Sequence, residues 1–270
     1  MGAQDPRTKF KTSDYEKQEQ ELPGLQSELT PQPDCGETSY EGHNRLLDYK
    51  MLVTGGDSAI GRAAAIAYAK EGADVAINYL PSEEQDAQEV KAVIEKAGRK
   101  AILIPGDIRD EQFNYDLVEQ AYKELGGLDN VTLVAGHQQY HDKLEEFDTQ
   151  SFKETFETNV YPVFWTVQKA LDYLQPGASI TTTSSVQGYN PNPLIHDYAA
   201  SKAAIISLTK SFSEQLGEQG IRVNCVVPGP FWSPLQITGG QQQSAIPQFG
   251  QDTPLGRAGQ PIELSGTYVL

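Results

Sequence analysis

Two cysteines in 270 residues make no disulfide framework. They stand at Cys35 and Cys225, and the apolar run 221–227 around the second points to a buried free thiol. Positive charge is scarce as well: 21 Lys and Arg face 37 Asp and Glu, for a net charge of −16. This argues against a nucleic-acid partner and against adhesion to anionic membranes, both of which need a basic face. No apolar run approaches the ~20 residues of a membrane span. The first residues lack the apolar stretch of a secretion signal. A soluble cytoplasmic protein is therefore expected.

Valine and isoleucine are missing altogether before position 50. Residues 1–45 are rich instead in Gln, Glu, Pro and Lys, and cannot bury enough apolar surface to fold alone. The expectation is an arm, either disordered or extended over the domain or a neighbouring subunit. Leu22, Leu25, Leu29 and Tyr40 are its candidate anchors.

From 46 to 270 the texture is that of one α/β domain. Apolar strands at 50–54, 73–79, 100–104, 131–135, 179–183 and 221–227 alternate with amphipathic helices at 60–71, 82–97, 111–125, 151–174 and 198–217. Such alternation means βαβ units, hence a doubly wound parallel sheet of Rossmann type in three α/β/α layers. Ser82 and Gln85 fit a capping box at the second helix, and Gly98 ends it. The stretch 228–261 is rich in Gly, Pro and Gln; following a strand end, it reads as a lid or binding loop.

Thr54-Gly55-Gly56-Asp57-Ser58-Ala59-Ile60-Gly61 lies between the first strand and the first helix. Glycines there allow a tight turn and close approach of a pyrophosphate to the helix N-terminus, so Gly55, Asp57, Ser58, Ile60 and Gly61 are candidate cofactor ligands. An acidic residue at the end of the second strand would select NAD; Asn78 and Tyr79 stand there instead. NADP is thus the expected cofactor, NAD remaining possible, with Arg62 the nearest cation for a 2′-phosphate.

Tyr198 and Lys202 are four apart on one helix and share a face. An ammonium beside a phenol is expected to lower its pKa from about 10 and make it a proton donor or acceptor. Such pairs are common on helices, but Ser185 ends the fifth strand 13 residues earlier, and only one of Ser184 and Ser185 can face a common site. Asn159 sits inside a helix, where asparagine is disfavoured; a satisfied buried amide or a local kink is its ordinary explanation. His137 and His141 are four apart, but nothing nearby completes a metal site. Phe231, Trp232, Leu235 and Ile246, with His137, Tyr140 and His141, could line a partly apolar pocket.

In order, spacing and placement, Asn159, Ser185, Tyr198 and Lys202 resemble the catalytic tetrad of short-chain dehydrogenases/reductases. The turn resembles that family's T-G-x-x-x-G-I-G, with Ala59 in place of a glycine. There its Cβ either crowds the nucleotide or demands a φ that alanine tolerates poorly, so weakened cofactor binding is expected. Asp107-Ile108, Ala135-Gly136 and Pro228-Gly229 resemble the family's other cofactor contacts, with Leu133 and Val134 replacing asparagines. The arm's E-L-P-G-L-Q-S-E and P-Q-P-D-C-G-E-T-S-Y-E-G, together with Thr54-Gly-Gly-Asp-Ser58, Pro228-Gly-Pro-Phe231-Trp232, Leu235-Gln236 and Ile246-Pro-Gln-Phe249, resemble a subgroup with N-terminal extensions. That subgroup includes general stress protein 39-like and glucose/ribitol-dehydrogenase-like oxidoreductases, NADP-dependent aldehyde reductases among them. The resemblance implies hydride transfer between a nicotinamide and a small carbonyl or alcohol substrate. In it Tyr198 moves the proton, Ser185 holds the substrate oxygen, Lys202 holds the ribose, and Asn159 holds a relay water. It also implies a homo-oligomer, and a seventh strand that this sequence lacks. A non-catalytic nucleotide-binding module, or an inactive shortened relative, is the competing reading.

Overall fold

Short apolar runs build one parallel sheet of six strands: β1 (Lys50–Thr54), β2 (Asp74–Tyr79), β3 (Ala101–Pro105), β4 (Asn130–Leu133), β5 (Ser179–Thr183) and β6 (Arg222–Val226). Their order is β3-β2-β1-β4-β5-β6, with every neighbouring pair parallel. A computed structural model describes residues 4–270; the first three residues of the expected arm lie outside the described residues. The order reverses direction between β1 and β4, and at such a switch point the strand ends open a crevice for ligands.

Strand residues alternate between two cores. Leu52, Ala76, Val131 and Ile180 face α3 (Glu111–Leu125), α5 (Tyr161–Ala170) and α6 (His196–Gly217). Met51, Val53, Val75 and Ile77 face α1 (Ala59–Lys70), α2 (Glu84–Lys96) and α7 (Ile262–Tyr268). Buried on both sides, these strands read as continuous apolar runs. The small residues of α1, Ala63, Ala64, Ala65 and Ala67, let it lie close on the sheet. From its far end, Tyr68 Oη reaches Thr132 Oγ1 at 2.8 Å and the Tyr268 carbonyl at 3.2 Å. β6 pairs with β5 alone among the described residues.

Two local expectations are corrected. The helix expected over 151–174 divides into α4 (Thr149–Asn159) and α5, because Pro162 has no N–H to give the Thr158 carbonyl and Val160 turns out of line at φ −111°. The Ser82–Gln85 capping box does not form. Pro81 opens a short 3₁₀ turn over Pro81–Glu83, and the Glu83 carboxylate, not the serine hydroxyl, accepts the Leu80 N–H at 2.8 Å.

The arm is extended and lies on its own domain. Lys70, the last residue of α1, donates to the carbonyls of Gly36, Glu37 and Tyr40 at 2.8, 2.8 and 3.0 Å. The next residue, Glu71, accepts from Tyr40 Oη, the His43 N–H and the Arg45 guanidinium. Leu29 is a buried anchor as expected, and Leu22 is not, at 52% exposure. Tyr15 is the unforeseen anchor: it stacks on Trp232 at 4.1 Å between ring centroids. Trp232 is itself fully buried, and its Nε1–H donates to the Pro31 carbonyl at 2.8 Å. Cys35 is a buried free thiol, and Cys225 is free and half-buried.

Removing the Trp232 ring deletes the core that joins the arm to 228–261. Trp232→Ala is expected to cost about 3–5 kcal/mol of unfolding free energy, read from urea titration. Acid acts elsewhere along the arm. Burial would raise the Glu71 carboxyl, but hydrogen bonds from Arg45 outweigh it and hold the group at about 2. A carboxyl depressed from its ordinary 4.5 contributes stability that is present above pH 4.5 and lost as pH falls toward 2. In Glu71→Gln this part of the acid sensitivity is expected to disappear, checked by comparing urea midpoints at pH 6 and pH 3.

Candidate active site

Close packing forces the glycine-rich turn into shape. A Cβ on Gly61 would lie 1.8 Å from the Gly55 carbonyl oxygen, so only glycine lets the first turn of α1 sit on the loop before it. Gly55 has φ +61°, and a Cβ there would meet Ala135 Cα at 2.9 Å. The α1 N-terminus, left uncapped by the Ser58 side chain, opens into a cavity of about 420 Å³ at the strand ends. Ala59, the first residue of α1, has φ +44°. The left-handed region costs a residue with a Cβ roughly 1–2 kcal/mol. Of the two consequences expected of alanine at 59, the structure realises the strained φ.

Most of the expected cofactor residues line this one cavity: Gly55, Asp57, Ser58, Ile60, Gly61, Asn78, Tyr79, Asp107, Ile108, Ala135, Gly136, Pro228, Gly229 and Phe231. Some do so through backbone while their side chains serve the fold. Asn78 Nδ2 donates to the carbonyls of Ile104 and Gly106 at 3.2 and 3.1 Å, tying β2 to β3. Tyr79 Oη donates to Glu84 at 2.6 Å.

Arg62 is a correction. It does not line the cavity; it is buried and paired with Glu37 of the arm at 2.8 Å and with Glu89 at 3.1 Å. Its position on α1 points it across the helix toward the arm. Arg109, paired with Asp107 at 2.6 Å, does line the cavity, as Lys202 does at its other end. Sequence reading missed Arg109, as it missed Glu83 and the arm residues Leu22 and Pro23, which also line the wall. The missing carboxylate at the end of β2 is replaced from other segments by Asp57 and Glu83. Asp57 is 1% exposed, and its Oδ2 has no hydrogen-bond partner among the described residues. Burial raises both carboxyls, and charge from neighbouring carboxylates adds to it.

At the other end of the cavity stand Ser185, Tyr198 and Lys202. β5 ends so that the two serines part: Ser184 Oγ donates to the Lys202 carbonyl at 2.7 Å, while Ser185 lies within hydrogen-bonding reach of Tyr198. Lys202 Nζ donates to the Thr183 carbonyl at 3.1 Å and lies 5.4 Å from the Tyr198 ring centroid. The expected lowering of the phenol is not found. Burial pushes Tyr198 up to about 12, opposed only by Ser185. Burial also lowers Lys202 to about 8.

Asn159 lies behind the cavity, outside its lining. Its Oδ1 accepts the His137 N–H at 2.7 Å, and its Nδ2 donates to the His137 carbonyl and Ser201 Oγ, both at 2.9 Å. The amide is fully satisfied and fastens the loop after β4 to α6; it also ends α4 at the break described above. Of the suggested apolar lining, Phe231, Leu235 and His137 reach the cavity. Tyr140 and His141 do not, and Trp232 and Ile246 belong to the buried cluster with Tyr15 and Leu29.

The N–H groups of Ile60 and Gly61 at the start of α1, the glycine-built approach and the unpaired Asp57 oxygen form a donor-and-acceptor set that suits a dinucleotide with a phosphate at α1. Comparison with known proteins agrees. The enoyl-(acyl carrier protein) reductase family model matches residues 55–270. Uncharacterized oxidoreductase YghA of Escherichia coli (strain K12) is 57% identical, over 98% of this chain and 90% of its own. NADPH-dependent aldehyde reductase 1, chloroplastic, of Arabidopsis thaliana is 37% identical, over 94% of this chain and 90% of its own. A crystal structure of a short chain dehydrogenase from Burkholderia cenocepacia J2315 in complex with NADP superposes with a TM-score of 0.76 at 33% identity, covering 83% of this chain and 89% of that one.

The buried ammonium has a measurable signature. A lysine lowered to about 8 from 10.5 destabilises the fold fully below pH 8, and this penalty vanishes as pH rises through 10.5. Relative to Lys202→Met, the wild-type chain is therefore expected to gain stability between pH 8 and 10.5. Urea unfolding of both proteins across that interval, without added nucleotide, checks the slope.

Proposed function

The chain belongs to the short-chain dehydrogenase/reductase family, whose members are oxidoreductases, and from that premise we propose that it is an NADP-dependent carbonyl reductase with Tyr198 as its general acid. The observation that carries the proposal is the placement of Ser185 beside the Tyr198 hydroxyl at the buried end of the cavity. Aldehydes and small ketones or sugars are the substrate class. The aldehyde reductase relative and the NADP-bound structural neighbour support the cofactor and the substrate class.

A nicotinamide, when bound, supplies the hydride. The chain's own residues supply position and a proton. The free N–H groups of α1 and the backbone at Ala135, Gly136, Pro228 and Gly229 hold and orient the dinucleotide. Ser185 and Tyr198 grip the carbonyl oxygen of the substrate. A phenol held near 12 is neutral around pH 7, which suits donating a proton to a reduced carbonyl better than taking one from an alcohol. Lys202 acts on the ribose, and Asn159 positions the loop that carries His137. Phe152 on α4 and Tyr161 and Phe164 on α5 are left exposed, which supports self-association.

One observation favours NAD instead: Asp57 and Glu83 both line the cavity, where their carboxyls oppose the added charge of a 2′-phosphate. Titration of the whole chain with NADPH and NADH separates the two cofactors. Tighter NADPH binding is expected, and tighter NADH binding would make the two carboxyls dominant. With the preferred cofactor and a panel of short aldehydes, diacetyl and sugars, Tyr198→Phe is expected to lower turnover about 10²–10⁴-fold while leaving dinucleotide affinity unchanged. Turnover near the wild-type rate would place the proton donor elsewhere.

A further inference from the structure

Ala59 is gripped by the arm on both of its peptide groups. Its N–H donates to Gln26 Oε1 at 2.6 Å, and its carbonyl accepts from the Cys35 thiol at 3.6 Å. Gln26 is fixed in turn. It is 2% exposed, its own N–H donates to Asp86 Oδ2 at 2.6 Å, and the N–H of Ser27 donates to Asp86 Oδ1 at 3.1 Å. The same stretch of arm sends Leu22 and Pro23 to the cavity wall. Thus the one residue of the glycine-rich turn that carries a Cβ at positive φ is also the one whose N–H is taken by a side chain from 33 positions away.

We infer that Gln26 is a positioning residue of the dinucleotide site: its side-chain oxygen holds Ala59 in the left-handed conformation, so that the free N–H groups following it at the α1 N-terminus face the cavity. The inference rests on the dinucleotide reading given above. Without that oxygen an alanine relaxes toward negative φ, which turns the adjoining peptide planes away from the strand ends. Glycine at 59 would need no such hold, since it occupies both signs of φ about equally. The arm contact therefore offsets the presence of alanine, and residues 26 and 59 act as a pair.

The test is binding of NADPH and of NADH, each titrated by nicotinamide fluorescence into the full chain, to Gln26→Leu, Ala59→Gly and the double variant. Gln26→Leu is expected to weaken binding of the preferred dinucleotide about tenfold, the effect of one lost hydrogen bond. Adding Ala59→Gly is expected to restore most of that loss. Unchanged binding by Gln26→Leu overturns the inference. So does a loss of the same size with and without Ala59→Gly, because a general loosening of the arm is not cured by relieving the φ of one turn residue. Should Gln26→Leu not fold, Gln26→Asn, whose oxygen is withdrawn by one methylene, is held to the same two criteria. A wild-type chain that binds neither dinucleotide overturns the cofactor reading and the inference with it.

Discussion

The contact between Gly61 and the Gly55 carbonyl sets the position of everything around it. Because no Cβ fits between them, α1 can begin directly on the turn that leaves β1. Its N-terminus then opens at the reversal between β1 and β4, and its alanine-lined flank settles on the sheet. With α1 in place, Lys70 and Glu71 at its far end face outward at the height where the arm passes, and Arg62 on its side faces Glu37. The cavity, the core and the arm's path follow from one short approach between two backbones.

Much of this is legible in the residues. The six strands and their alternation with helices appear in the apolar runs, since strands buried on both faces have nowhere to place polar side chains. Tyr198 and Lys202 are legible as neighbours because helical spacing decides which side chains share a face, whereas Ser185 rather than Ser184 is what the family resemblance implies. The boundary at Asn159–Val160 is half-legible: Pro162 was present to signal it, yet the apolar pattern runs on through the break.

What escaped the sequence reading is long-range. Nothing near Arg62 announces that Glu37 and Glu89 will claim it, and nothing in the arm announces that Leu22 and Pro23 will reach the cavity wall. Tyr198 shows the same limit for electrostatics. Helical spacing brings an ammonium close to the phenol, but burial acts on both groups and dominates each. Depth in the fold, which spacing does not encode, decides the sign.

The arm's seat also has a consequence in time. Pro31 and Trp232 are 201 positions apart in the chain, yet they share one hydrogen bond and one core. At about 5–20 residues per second of synthesis, the arm waits roughly 10–40 s for the segment that will receive it. During that interval Tyr15 and Leu29 lack the Trp232 ring, while the stretch from Gln26 to Arg45 can already meet Arg62, Lys70, Glu71 and Asp86, which are made soon after it. The arm is thus seated in two stages, its middle on the early-made α1 and α2 and its Tyr15 end on the late-made segment around Trp232.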